Sequence, residues 1–415
     1  MYKIGRRNFL YASAFGLSSL SGLAKEVKQE KSVILIWLHG GMSDVGTFNI
    51  LPDAADKVRG SIKGIHTTVP GLYISEFLPK TAQNTDKLTI LRNASNYNGS
   101  HGIADSIIMS GKKYIPGTFY PTYGSIIAKE LGHKTQIPPF VQIGNSLDRQ
   151  TAQGGTGGHL GSKYNPFKLD DDPNSPNFKI DGITLPDGVN SSRLQERFNM
   201  AKSLNRNIGV GENIIAMDKY YDKALSLVLN RSTERVFKLD NESPKTRDQY
   251  GRNTFGQSCL MARRLVEAGC RFVTVTDGGW DTHVDNDKAL AYKLPILDAG
   301  YASLLADLAQ RGMLDNTIVM IHTDFGRTNM NATNGRDHKA GPTTMVVSGG
   351  GFKHLGSIGK TDNRAEHVVD QPIYIEDVAQ TMYKLIGIDT HKEYIANDGR
   401  PFTIHKDGRV LNEII

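Results

Sequence analysis

Apolar residues along the chain follow two spacings. Ser32–Leu38 (SVILIWL) is almost continuously apolar and β-branched, which predicts a strand buried on both faces of a parallel sheet. It runs into His39-Gly40-Gly41, where glycine permits a tight turn beside a ligand. KLTILRN, PPFVQI and RFVTVT are further strand-like runs. Between and after them, helical periodicity covers His101–Ser110, Arg193–Leu204, Glu212–Asn230, Thr254–Glu267 and Tyr374–Leu385. Gly154–Asn177, rich in Gly, Asn, Asp and Pro, reads as a long irregular loop of the kind that is functional or disordered. Strand and helix alternate, which predicts one α/β domain over residues 30–415 with a loop-rich insertion near 145–210.

The polar residues that break this pattern collect after the strand-like runs. TVTDGGWDTH, IHTDFGRT and GRDHKAGP place Asp277, Asp281, His283, Asp324, Asp337 and His338 in loops that follow strands. Ligands bind at the carboxyl ends of strands in parallel α/β folds. Imidazole suits zinc and carboxylate suits harder ions, so the convergence of three such loops points to a divalent metal and to hydrolysis. One Asp-x-His pair alone would be an ordinary surface loop. Trp280 is expected to pack under the metal loop.

Composition narrows the partners. With 415 residues and 39% hydrophobic content, the chain can bury a large core. Lys and Arg total 49 against 43 acidic residues without forming a block, which argues against a nucleic-acid surface. Two cysteines, Cys259 and Cys270, exclude a disulfide framework and read as buried thiols. At the N-terminus, Arg6-Arg7 followed by Phe9-Leu10 and a short, Ser- and Gly-rich apolar run resembles a twin-arginine signal over residues 1–24. No stretch suits a stable membrane span. A periplasmic or secreted protein that uses the twin-arginine export machinery is the expectation.

WLHGGMSDVGTFN, NGSHGIADSIIMSGKK, HLGSKYNPF, YGRNTFGQSCLMARRLVEAGCRFVTV, GGWDTH, DFGRT, GRDHKAGPTTMVVSGGG and IEDVAQTMYKLIGID occur in this order between about Val33 and Ile414. In these stretches the chain resembles the secreted, sulfatase-like family DUF1501, of the alkaline phosphatase-like superfamily. The resemblance implies a three-layer sandwich, with a central mixed, mostly parallel sheet flanked by helices and metal at its carboxyl edge.

Carried over by motif, it implies Asp281, His283, Asp324 and His338 as metal ligands, with Asp337 beside them. His39 and Asp44 stand near the place of the superfamily's first acidic ligand. His101 falls near the nucleophile position, with Ser100 adjacent; it reads as nucleophile, general acid or base, metal ligand or helix-start residue. No formylglycine motif is present. Arg327 is placed to bind a sulfate or phosphate oxygen through its planar fork. These residues imply an exported hydrolase that takes an anionic ester and depends on a divalent ion (Zn, Ca, Mn or Mg), with sulfate esters of carbohydrate the leading substrate. A phosphatase or phosphodiesterase on the same scaffold is the near alternative. A non-catalytic glycan-binding envelope protein is the distant one.

Overall fold

Ser32–Leu38 forms strand β1, and all seven residues are buried. Its side chains alternate: Ile34, Ile36 and Leu38 enter one hydrophobic core, and Val33, Leu35 and Trp37 enter another. That two-sided burial explains why the run lacks polar alternation. The computed structural model describes residues 30–144, 156–178, 180, 193, 196, 197, 199, 200, 203, 231–396 and 399–415.

The strands that follow are β2 (Leu88–Asn96), β3 (Phe140–Ile143), β4 (Phe167–Leu169), β5 (Phe272–Asp277) and β6 (Thr317–Thr323). Next come β7 (Gly326–Met330) and β8 (Arg336–Lys339), which pair as a separate hairpin, and then β9 (Gly341–Ser348), β10 (Gly356–Ile358) and β11 (Ile373–Tyr374). Apart from the hairpin they form one nine-stranded sheet in the order β10-β2-β9-β6-β1-β5-β3-β4, with β11 also on β2. β1 lies parallel to β5 and β6, and β3 lies parallel to β4 and β5. β9 is the antiparallel member, against β2 and β6.

Helices α1 (His101–Ser110) and α2 (Tyr123–Leu131) pack on one face. Helices α3 (Thr254–Glu267) and α4 (Asn286–Gln310) pack on the other, and α5 (Ile375–Ile386) returns to the first. This is the expected class: helices on both faces of a mixed, mostly parallel sheet. Lys31–Ile415 is one compact unit. Among the described residues no helix is long and apolar enough to cross a membrane. Cys259 and Cys270 are both buried free thiols.

Two expectations shift. The final helix starts at Ile375, because Tyr374 is still in β11, paired with Ser95. The irregular stretch Gly154–Asn177 contains the edge strand β4 and two 3-10 turns, Gly158–Leu160 and Ser162–Tyr164. Only three residues long and bounded by Pro166 and Asp170, β4 is too short to show a period. Residues 1–24 and the helix expected at Glu212–Asn230 lie outside the described residues.

Two tests follow from the packing of α1 and α5. Gly111 ends α1 at φ +68°, and a Cβ there would lie 2.6 Å from the Ala379 Cβ. Gly111→Ala is expected to cost about 1–3 kcal/mol, read as a lower urea midpoint with unchanged slope; an unchanged midpoint would contradict this contact. Glu376 is buried in the first turn of α5, and burial pushes its carboxyl up to about 7 from 4.5. The unfolded chain therefore loses that proton first, and stability falls as pH rises from about 4.5 to about 7. Glu376→Gln should flatten that part of the stability–pH curve; an equal slope in both proteins would refute the assignment.

Candidate metal centre

The loops after β1, β5 and β6 leave the sheet at its carboxyl edge, and backbone hydrogen bonds lace them together. The His39 amide donates to the Asp277 carbonyl at 2.9 Å, and the Trp280 amide donates to the His39 carbonyl at 3.3 Å. Gly40 makes this approach possible. It sits at φ +121°, and a Cβ would fall 2.6 Å from the Asp281 nitrogen. The glycine that the sequence placed beside a ligand is pressed against the neighbouring loop. Trp280 packs beneath, 1% exposed, with its Nε1 donating to Asp277 at 2.8 Å.

Three donor atoms converge above this lacing. Asp281 Oδ1 lies 2.9 Å from His338 Nε2 and 3.0 Å from His283 Nε2, and the two imidazole nitrogens are 3.0 Å apart. Each ring is held from behind. His338 Nδ1 faces the Gly99 carbonyl at 2.9 Å, and His283 Nδ1 faces Asp337 Oδ1 at 2.7 Å. A carbonyl only accepts, so His338 Nδ1 carries the proton and its Nε2 presents a lone pair; the Asp337 carboxylate sets the same tautomer on His283. Two imidazole lone pairs and a carboxylate oxygen facing one another repel unless a cation sits among them. Bonds of about 2.1 Å at right angles put ligand atoms about 3.0 Å apart, so the set fits a divalent ion.

His101 opens α1 between two carboxylates. Its Nδ1 is 2.9 Å from Asp324 Oδ2 and its Nε2 is 3.4 Å from Asp281 Oδ2. The Asp324 hydrogen bond raises the His101 pKa, against the opposing effect of burial. Asp324 is fully buried and accepts from Trp37 Nε1 at 3.0 Å and the Gly40 amide at 2.9 Å. His39 Nε2 stands 3.8 Å from Asp324 and 3.6 Å from Asp105. His39, His101 and Asp324 therefore make a second, looser metal-compatible group that shares His101 with Asp281 and His338.

Four expected residues take other places. Arg327 is buried, and its guanidinium is committed to protein. It donates to the carbonyls of Gly41 at 2.7 Å, Arg336 at 2.9 Å and Trp280 at 3.3 Å, to the Gly40 carbonyl, and to Asp281. Its fork is thus not open to a substrate anion. Burial works against the Asp281 carboxylate, yet the hydrogen bond and charge of Arg327 outweigh it and hold the group well below the usual range. Asp337 orients His283, and that hydrogen bond lowers its own pKa. Asp44 is buried beside Asn49 and attracts Arg336; neither metal-compatible group among the described residues includes it. Ser100 is exposed just before α1, and among the described residues no hydrogen bond ties its hydroxyl to the cluster.

Sequence reasoning missed Trp37, Gly99 and Asp105. Trp37 and Gly99 act through an indole N–H and a backbone carbonyl that no motif marks, and Asp105 reads only as a polar position inside a helix.

Arg327→Lys tests the clamp. A lysine keeps the charge but cannot serve four carbonyls and a carboxylate at once. A stability loss of about 2–4 kcal/mol, with weakened metal binding by calorimetry, is expected. A stable variant with only a raised KM would instead make Arg327 an anion-binding residue.

No curated protein matches the chain. Among solved structures, the sulfatase PsFucS1 from Pseudoalteromonas sp. shares 12% identity at a TM-score of 0.40, over 90% of this chain and 70% of that one. The alkaline phosphatase of the Antarctic bacterium TAB5 shares 13% at 0.38, over 86% and 98%. The periplasmic domain of EcEptC from Escherichia coli shares 10% at 0.39, over 88% and 85%. Residues 30–415 match the family described as protein of unknown function DUF1501. The chain belongs to the DUF1501 family.

Proposed function

We propose that the chain is an exported, metal-dependent hydrolase of sulfate esters, acting on sulfated carbohydrate without formylglycine. The observation that carries the metal-dependent reading is the convergence of Asp281 Oδ1, His283 Nε2 and His338 Nε2 within 3.0 Å beside His101. A divalent ion held there supplies charge for an anionic ester oxygen and acidity for bound water.

The rest falls to the chain's own groups. Hydrolysis forms a bond from sulfur to the oxygen of water, breaks the ester bond to the alcohol oxygen, and moves a proton from the water to that alcohol. Asp324 anchors His101 through Nδ1, which leaves Nε2 facing the cluster as the nitrogen able to hold or hand over that proton. Asp281 Oδ2 stands 3.4 Å away and fixes the ring's tilt. Arg327 sets the height of the Asp281 carboxylate from below.

Charge supports sulfate over phosphate. The only guanidinium in contact with the cluster among the described residues is already committed, and Asp281, Asp324 and Asp337 surround the space. A sulfate monoester brings one negative charge, whereas a phosphate monoester at neutral pH brings close to two. The second group of His39, His101 and Asp324 favours the rival phosphatase reading, because a pair of metals is the usual answer to that extra charge. Arg6-Arg7 with Phe9-Leu10 supports twin-arginine export to the periplasm or beyond.

Matched aryl sulfate and aryl phosphate esters, assayed with and without chelator, test the proposal. Sulfate release that stops with chelator and falls about a hundredfold or more in His101→Ala is the expected result. Faster phosphate release with two bound ions would establish the rival. Sulfate release insensitive to chelator would overturn the role of the metal.

A further inference from the structure

We propose that a belt of lysine ammoniums seated over aromatic rings, starting at Tyr97 next to the metal centre, is a binding track for an anionic saccharide chain. The ligand class rests on the sulfate-ester reading; the belt itself does not. Tyr97 directly follows β2, four positions before His101, and is 41% exposed. It stacks on Tyr374 with ring centroids 4.5 Å apart and planes 8° from parallel, and Lys113 Nζ lies 4.9 Å from its ring.

A second line of contacts begins one residue away in the chain. Lys112, next in the chain to Lys113, places Nζ 5.1 Å from the Tyr120 ring. Tyr120 meets His159 at 6.0 Å, His159 meets Phe402 at 5.6 Å, and Phe402 meets Tyr394 at 5.6 Å. Lys129 closes the line, 4.7 Å from Tyr394 and 5.1 Å from Tyr164; Lys163 Nζ also lies 5.4 Å from the Tyr164 ring and Lys392 Nζ 5.4 Å from the Tyr394 ring. A cavity of about 390 Å³, lined by Phe119, His159, Ser162 and Asn165, opens beside His159, within the range of about 300–1,000 Å³ that holds small ligands.

Cation–aromatic contacts are concentrated along this stretch. Among the described residues six of the eight lie on this belt, and the other two are Lys293 on Trp280 and Arg327 on Phe325. Aromatic faces offer flat apolar contact for the C–H face of a pyranose, and ammoniums offer partners for its sulfate groups. Lys113 and Lys163 are exposed and can pivot off their rings toward an anion, whereas Lys112 is buried with its Nζ donating to the Thr403 carbonyl at 3.2 Å. The track ends at Lys392, where Glu130 already pairs with the ammonium at 2.9 Å.

Affinity electrophoresis of the full chain through gels containing dextran sulfate, with unsulfated dextran as control, tests the track. The double variant Lys113→Gln, Lys163→Gln removes two exposed charges and should weaken retardation about five- to thirtyfold; Tyr97→Ala should weaken it as well. Removing the same charge at Lys80 and Lys245, which line a separate cavity among the helices of the opposite face, should change it less than about twofold. Retardation is read without turnover, so this result stands or falls apart from aryl ester hydrolysis. The proposal is overturned by equal losses from the two lysine pairs, by wild-type retardation of the Lys113/Lys163 variant, or by tighter binding to anionic lipid vesicles or single-stranded DNA than to dextran sulfate.

Discussion

The candidate centre depends on one buried guanidinium. Arg327 leaves the hairpin that follows β6 and gathers the carbonyls of Gly40 and Gly41 after β1, Trp280 after β5, and Arg336 across the hairpin. The same guanidinium grips the Asp281 carboxylate. A buried cation is costly unless every donor is used, and here that requirement forces three loops from different parts of the chain into fixed register. The ligand carboxylate comes to rest on a positive charge, so it stays ionised and aimed at the two imidazoles.

Around that anchor, each imidazole is fixed by a partner on its far nitrogen. The Gly99 carbonyl turns His338, Asp337 turns His283, and Asp324 turns His101. These partners come from the approach to α1, the hairpin and the end of β6, so the parallel sheet does the positioning by delivering all its loops to one edge. The ammonium–aromatic belt starts at the end of β2, on the side where α1 and α5 pack.

Much of this was legible in the sequence. The continuous apolar run Ser32–Leu38 marked a strand with two covered faces, and Asp and His after strand-like runs marked the edge where Asp281, His283, Asp324 and His338 meet. The roles of Arg327, Asp337 and Asp44 were not legible. An arginine beside an acidic ligand looks the same in sequence whether its fork faces solvent or four carbonyls, and a carboxylate looks the same whether it touches an ion or an imidazole. Such distinctions depend on where backbone oxygens fall after the sheet has formed. Strand β4 escaped notice because three residues cannot display a period.

The most direct test is anomalous diffraction from crystals of the zinc- or manganese-loaded protein. The account predicts a peak within about 2.0–2.3 Å of Asp281 Oδ1, His283 Nε2 and His338 Nε2 together. An ion bound elsewhere, or a cluster that keeps its hydrogen bonds and excludes metal at saturating concentration, would contradict it.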